Sequence, residues 1–173
     1  MSWGDFNRRV GRLAEYSPRG CLERMLEGAG SFHLTTGVAI RRMCDLRQPA
    51  VTQVQVLARE VVHASETKLR TDWRKDFGHW PVKSVIHWVL WLRAACLFDP
   101  AWTTERNRLR IAMELGIHES TLDRISKKVT GRTFARSMAE PHLGRSLEAF
   151  EALWRAVPFP SPHSGTHPRH PTF

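Results

Sequence analysis

The sequence predicts a mainly α-helical fold, a helical bundle containing a helix-turn-helix unit, and three observations carry that expectation. Apolar residues recur at helical spacing along most of the 173 residues. Prolines mark breaks between those runs, at "RQPA" (47–50), "FGHWP" (77–81) and Asp99–Pro100. The stretch "IAMELGIHESTLDRI", Ile111 to Ile125, resumes its apolar spacing in a new phase after a single glycine.

Taken in order, residues 1–29 are basic, with Val10, Leu13, Leu22, Met25 and Leu26 at helical spacing before Gly28 and Gly30 interrupt. After "RQPA" (47–50), Val54, Leu57, Val61 and Val62 form a helical stripe. "VTQVQV" alternates well enough for a strand, and helix is the expectation because the stripe continues past it. Pro81 biases Trp80 away from helix and suits the first turn of the next one. From Val82 to Leu97, Val85, Val89 and Leu92 share a face that Trp88 and Trp91 widen. This run is too short and, with His87 and Arg93, too polar to cross a membrane, so a buried helix is expected. Asp99–Pro100 ends it, and Thr103 or Thr104 caps the next. The last 16 residues hold five prolines and few helix formers, which predicts a disordered Pro/His-rich tail. No internal repeat is evident. The expected domains are 1–80, an N-terminal helical region with no assigned role and a candidate for dimerisation; 81–157, the helix-turn-helix domain; and the tail 158–173.

Composition narrows the function. Lys and Arg number 26 against 17 Asp and Glu, a formal charge of +9, so an anionic partner is favoured, with nucleic acid ahead of a membrane surface. Cys21, Cys44 and Cys96 are odd in number and contain no CxxC pair, which points to reduced thiols and a cytoplasmic location. The start of the chain lacks the apolar stretch of a signal peptide. No GxSxG, P-loop, HExxH or Rossmann glycine run is present, so no catalytic residues, metal or cofactor are expected. Asp45 and Pro49 lack the acidic pair and glycine that a phosphoacceptor site needs. His163, His167 and His170 match metal ligands by residue type alone.

A glycine inside a helical stretch has a physical reason. Two short helices that cross steeply need a residue at φ > 0 in the turn, a small residue where they approach, and apolar residues around both. Ile111 and Ala112 fill the first helix, Leu115, Gly116 and Ile117 the turn, and Leu122 and Ile125 the second helix. In a docked helix-turn-helix the start of the second helix and the residue one turn on reach base edges. Those are Glu119, Ser120, Thr121 and Arg124, on a recognition helix of about 119–129. Lys127, Lys128 and Arg132 would contact phosphates and set affinity, not sequence preference. Trp102 and Trp154 are expected to clamp the unit from its two ends.

"AWTTERNRLRIAMELGIHESTLDRISKKVTGRTFA" (101–135) resembles the first helix-turn-helix of AraC-type transcription regulators. The likeness runs through Ala112, Leu115–Gly116, Ser120–Thr121–Leu122–Asp123–Arg124 and the closing Thr130–Gly131–Arg132–Thr133–Phe134, with His118 where a capping serine is usual. It implies sequence-specific binding of double-stranded DNA. It also implies a second unit beyond a linker helix. Residues 135–157 are the candidate linker, yet no second "LG" turn follows them. A homodimer through residues 1–80 would supply the further contacts. The competing expectation is a non-catalytic protein-interaction or assembly module that uses the helix-turn-helix for docking. Any small-molecule effector is unknown from the sequence.

Overall fold

The computed structural model describes residues 17–62 and 64–158. The expected helical residues Val10 and Leu13, and the tail from residue 159 onward, lie outside them. Among the described residues every regular element is helical: nine α-helices and one 3₁₀ turn. The bundle expected from the apolar spacing is what forms.

Local signals start and stop these helices. In α1 (Pro18–Gly28) proline occupies the first turn, and the Ser17 hydroxyl accepts from the Gly20 amide at 2.9 Å. Cys21, Leu22 and Met25 are buried, while Leu26 is turned outward. The 3₁₀ turn Ala29–Ser31 follows where the glycines interrupt. Next come α2 (Leu34–Cys44) and α3 (Val54–Val62). The alternation of "VTQVQV" spans a loop and a helix start: Val51 is buried ahead of α3, and Val54, Leu57 and Ala58 then bury at i, i+3, i+4. Ser65 caps α4 (Glu66–Phe77) by accepting from the Lys68 amide at 3.2 Å.

α5 (Val82–Leu97) is the centre of the molecule. Val85, Ile86, Trp88, Val89, Leu90, Trp91 and Leu92 are all buried, around most of its circumference. A helix apolar on nearly every side must be covered on nearly every side. α5 packs against α1, α2 and α3, and against α6 (Thr104–Leu115) and α7 (Glu119–Thr130) beyond it. The short α8 (Phe134–Met138) and α9 (His142–Arg155) complete the chain. No helix is long and apolar enough to cross a membrane among the described residues.

Two expectations are corrected here. The candidate linker 135–157 is two helices, and α9 packs back onto α1, where Arg24 Nε donates to Glu151 Oε1 at 2.7 Å. Trp154 does not clamp the α6–α7 pair. Its ring lies 6.0 Å from Phe32 and 5.9 Å from Phe77, in the cluster between the first turn of the fold and α4. Trp102 does sit at the start of α6, under the guanidinium groups of Arg106 and Arg110 at 3.9 and 4.4 Å.

Thiol chemistry is quiet. Burial, with Glu151 beside it, pushes the Cys21 thiol up to about 12; burial also lifts Cys44 to about 12 and Cys96 to about 11. All three cysteines are free.

Candidate nucleic-acid interface

Thr103 begins α6 by accepting from the Arg106 amide at 3.3 Å. Buried Asn107 fixes the approach, its Nδ2 donating to the carbonyls of Asp99 and Trp102 at 2.8 and 3.2 Å. The helix ends at Gly116, which adopts φ +64° and ψ +34°. Its amide donates to Met113 O at 3.1 Å, and the Ile117 amide reaches back to Ala112 O at 2.9 Å. After this turn His118 caps α7, its Nδ1 accepting from the Ser120 amide at 3.2 Å. The histidine therefore does the work of the serine whose place it takes.

The turn residue is testable. A Cβ at Gly116 would meet nothing within 4 Å, so a substitution there acts through backbone strain and not collision. Gly116→Ala should destabilise by about 1–2 kcal/mol, the left-handed penalty for one L-residue, and Gly116→Val by more. Thermal melting of both chains checks this. Unchanged melting in Gly116→Val would remove the turn geometry as a constraint.

The apolar positions expected to hold the pair together do so. Ile111, Ala112, Leu115, Leu122 and Ile125 are buried and Ile117 is half-buried. The opposite side of α7 is an exposed ridge on which Ser120, Arg124, Lys127 and Lys128 stand together. With Arg108 and Asp123 they line one shallow depression. Thr121 lies beside the ridge, its hydroxyl 3.5 Å from Arg124 Nη2.

Glu119 is half-buried beside the ridge. Arg108 of α6 lies 3.6 Å from its carboxylate and 3.5 Å from that of Asp123, whose other oxygen accepts from the Phe134 amide at 3.0 Å. Arg108 thus offsets part of the negative charge of the two carboxylates beside the ridge. Arg132, past the left-handed Gly131, bonds back to Thr130 and stands apart from the ridge.

The structure also brings out a repeat that residue-by-residue reading missed. Both α4 and α7 span twelve residues, follow a side-chain N-cap, and end at a glycine of positive φ, Gly78 and Gly131. An offset of 53 (131 − 78) aligns them. The same offset sets Thr67 against Ser120, buried Leu69 against buried Leu122, and Arg74–Lys75 against Lys127–Lys128. Each helix is preceded by a shorter or equal one across a short turn, α3 before α4 and α6 before α7, with α5 between the pairs. The turns differ in sequence, and only one holds "LG", which hid the likeness.

Three further basic residues face α7 from its neighbours: Arg70 of α4, and Lys83 and His87 of α5. Their signal was present in the sequence. Lys83, Ser84 and His87 are the polar positions in the first half of an otherwise apolar helix, and they share one face. Burial lowers the His87 pKa, and Lys128, Lys83 and Arg124 add to the shift.

Comparison with known protein families, with curated proteins and with solved structures yields no match to this chain.

Proposed function

We propose that the chain is a sequence-specific DNA-binding transcription regulator of the cytoplasm, with α7 entering the major groove. The observation that carries this reading is the ridge of α7. Its buried side is locked into the core, while Ser120, Arg124, Lys127 and Lys128 project together, and no carboxylate pairs with Arg124, Lys127 or Lys128 among the described residues. Unpaired cations on a rigid helix suit phosphate and base contacts. Ser120, Thr121 and Arg124 take the base-reading roles. Lys127, Lys128 and Arg132 take the phosphates. Glu119 holds Arg108 and is the weakest of the expected readers.

The likeness to AraC-type regulators, which rests on residues 101–135, implies two units joined by a linker helix. Although 101–135 resembles the family's first unit, the repeat supports α3–α4 as the first, α5 in place of residues 135–157 as the linker, and α6–α7 as the second. Two units in one chain supply two contacts with the groove, so the proposal does not need a homodimer through residues 1–80 for the second.

Arg124→Ala tests the base-reading role. Selected binding sites should lose about 1–3 kcal/mol of affinity, with relaxed preference at one base position. Equal weakening on every sequence would make Arg124 a phosphate contact instead. Protein docking is the alternative, favoured by the exposed Leu109 and Met113 one turn apart on α6. Duplex binding that falls steeply with added salt separates the two, because only a phosphate-bound complex releases counterions.

A further inference from the structure

A second basic surface adjoins the ridge. α4, α5 and α7 enclose a trough of about 560 Å³, walled by Arg70, Lys83, His87, Arg124 and Lys128. Arg70, Lys83, His87 and Lys128 also line a second hollow that continues past Trp80 and Trp88. The basic strip is therefore continuous across α5. Its single carboxylate, Glu66, is taken by Arg70 at 2.8 Å. Lys83, Arg124 and Lys128 have no carboxylate partner among the described residues. Three unpaired cations brought together from two helices, around a half-buried imidazole, repel one another unless an anion joins them.

We infer that this trough seats the phosphodiester backbone of duplex DNA, so that Lys83 and His87 of α5 are phosphate-binding residues between the two helix pairs. The inference rests on the DNA-binding reading above and adds a surface to it. Continuity identifies the occupant. Arg124 and Lys128 line both the trough and the α7 depression, so a polymer lying on the ridge has its neighbouring phosphates led into the trough. An isolated small anion would have no reason to span both.

A proton accompanies the contact. Without DNA, burial and the flanking cations favour neutral His87. The groups facing it are Lys83 on its own helix, Glu66 and Arg70 of α4, and His118, Arg124 and Lys128 of α7 and its turn. A phosphate among them favours the imidazolium, so the bound state takes up a proton and affinity rises as pH falls. His118 lines the same trough, and the comparison of wild type with His87→Gln isolates His87.

The experiment titrates the full chain into a fluorescent random-sequence duplex across a salt series, by anisotropy. Lys83→Gln/Lys128→Gln should lower the slope of log affinity against log salt by about two and weaken binding roughly tenfold or more near 0.1 M salt. Lys83→Gln alone should lower the slope by about one, which keeps the test decisive if the double variant melts low. Arg47→Gln, on the exposed loop between α2 and α3, removes equal charge and should leave the slope unchanged. Wild type should tighten from pH 8 to pH 6 more than His87→Gln does. A wild-type chain that binds duplex while Lys83→Gln keeps its slope would overturn the trough and leave the α7 reading, in which Lys128 is itself a phosphate contact, standing. A wild-type chain that binds no duplex at all would overturn both.

Discussion

Trp91→Ala should cost about 3–5 kcal/mol of stability, the range for truncating a buried aromatic, and lower Tm by roughly 10 °C or more in a chain of this size. Trp91 is fully buried at the middle of α5, its ring 5.8 Å from that of Trp88 in an edge contact. Its Nε1 donates to Ser137 Oγ at 3.1 Å. Ser126 Oγ lies 3.1 Å from the same oxygen, which donates in turn to Phe134 O at 2.7 Å. One indole therefore ties α5 to α7 and α8 through two buried serines. Truncation leaves a void and weakens the network that holds α7 against α5. Trp91→Phe keeps most of the volume and loses only the donor, so it should cost about 1–3 kcal/mol. Urea unfolding followed by circular dichroism measures both. A Trp91→Ala chain within about 1 kcal/mol of wild type would mean that the void collapses and the network is dispensable.

Arg93→Ala should cost roughly 2–4 kcal/mol, from the loss of several hydrogen bonds to a charged group. Arg93 is buried toward the C-terminal end of α5, and it has no carboxylate partner among the described residues. Its Nη1 donates to Met43 O at 3.1 Å and Asp45 O at 3.2 Å, and its Nη2 to Gln48 O at 2.6 Å. Burial, with Arg42 nearby, pushes its pKa down, but a guanidinium starts so high that it stays charged. Its role is to satisfy the carbonyls where α2 ends and the loop toward α3 begins. Arg93→Lys should recover little, because one ammonium cannot reproduce a fork reaching three oxygens. Hydrogen exchange should report the loss as faster exchange around residues 43–50. Global destabilisation with no local change there would show that the side chain acts through packing alone.

Much of the local structure was legible in the residues. Thr103, Gly116 and Pro81 mark ends because capping and positive φ depend on single residues and their immediate neighbours. The stripes of α3 and α5 were readable for a similar reason, since i, i+3 and i+4 neighbours share a helix face whatever lies opposite. The exposed Ser120–Arg124–Lys127–Lys128 ridge follows directly from where Leu122 and Ile125 must bury.

What the residues alone did not reveal depends on partners far along the chain. No local pattern around Glu119 announces that Arg108 of α6 pairs with it. Trp154 was placed near the helix pair and instead joins Phe32 and Phe77, more than 70 positions away. The likeness of α4 to α7 was masked because their turns and buried residues differ. It is carried by framing and exposure, and those emerge once both helices are packed. Nor does any local pattern bring Arg70 and Lys83 opposite Lys128. The sequence by itself determined the helices, their caps, the glycine turn and the basic ridge, since each is a property of residues within about one helical turn. Only the tertiary structure decided which charges neutralise one another and which gather unpaired in the trough, because packing around α5, and not sequence spacing, sets those distances.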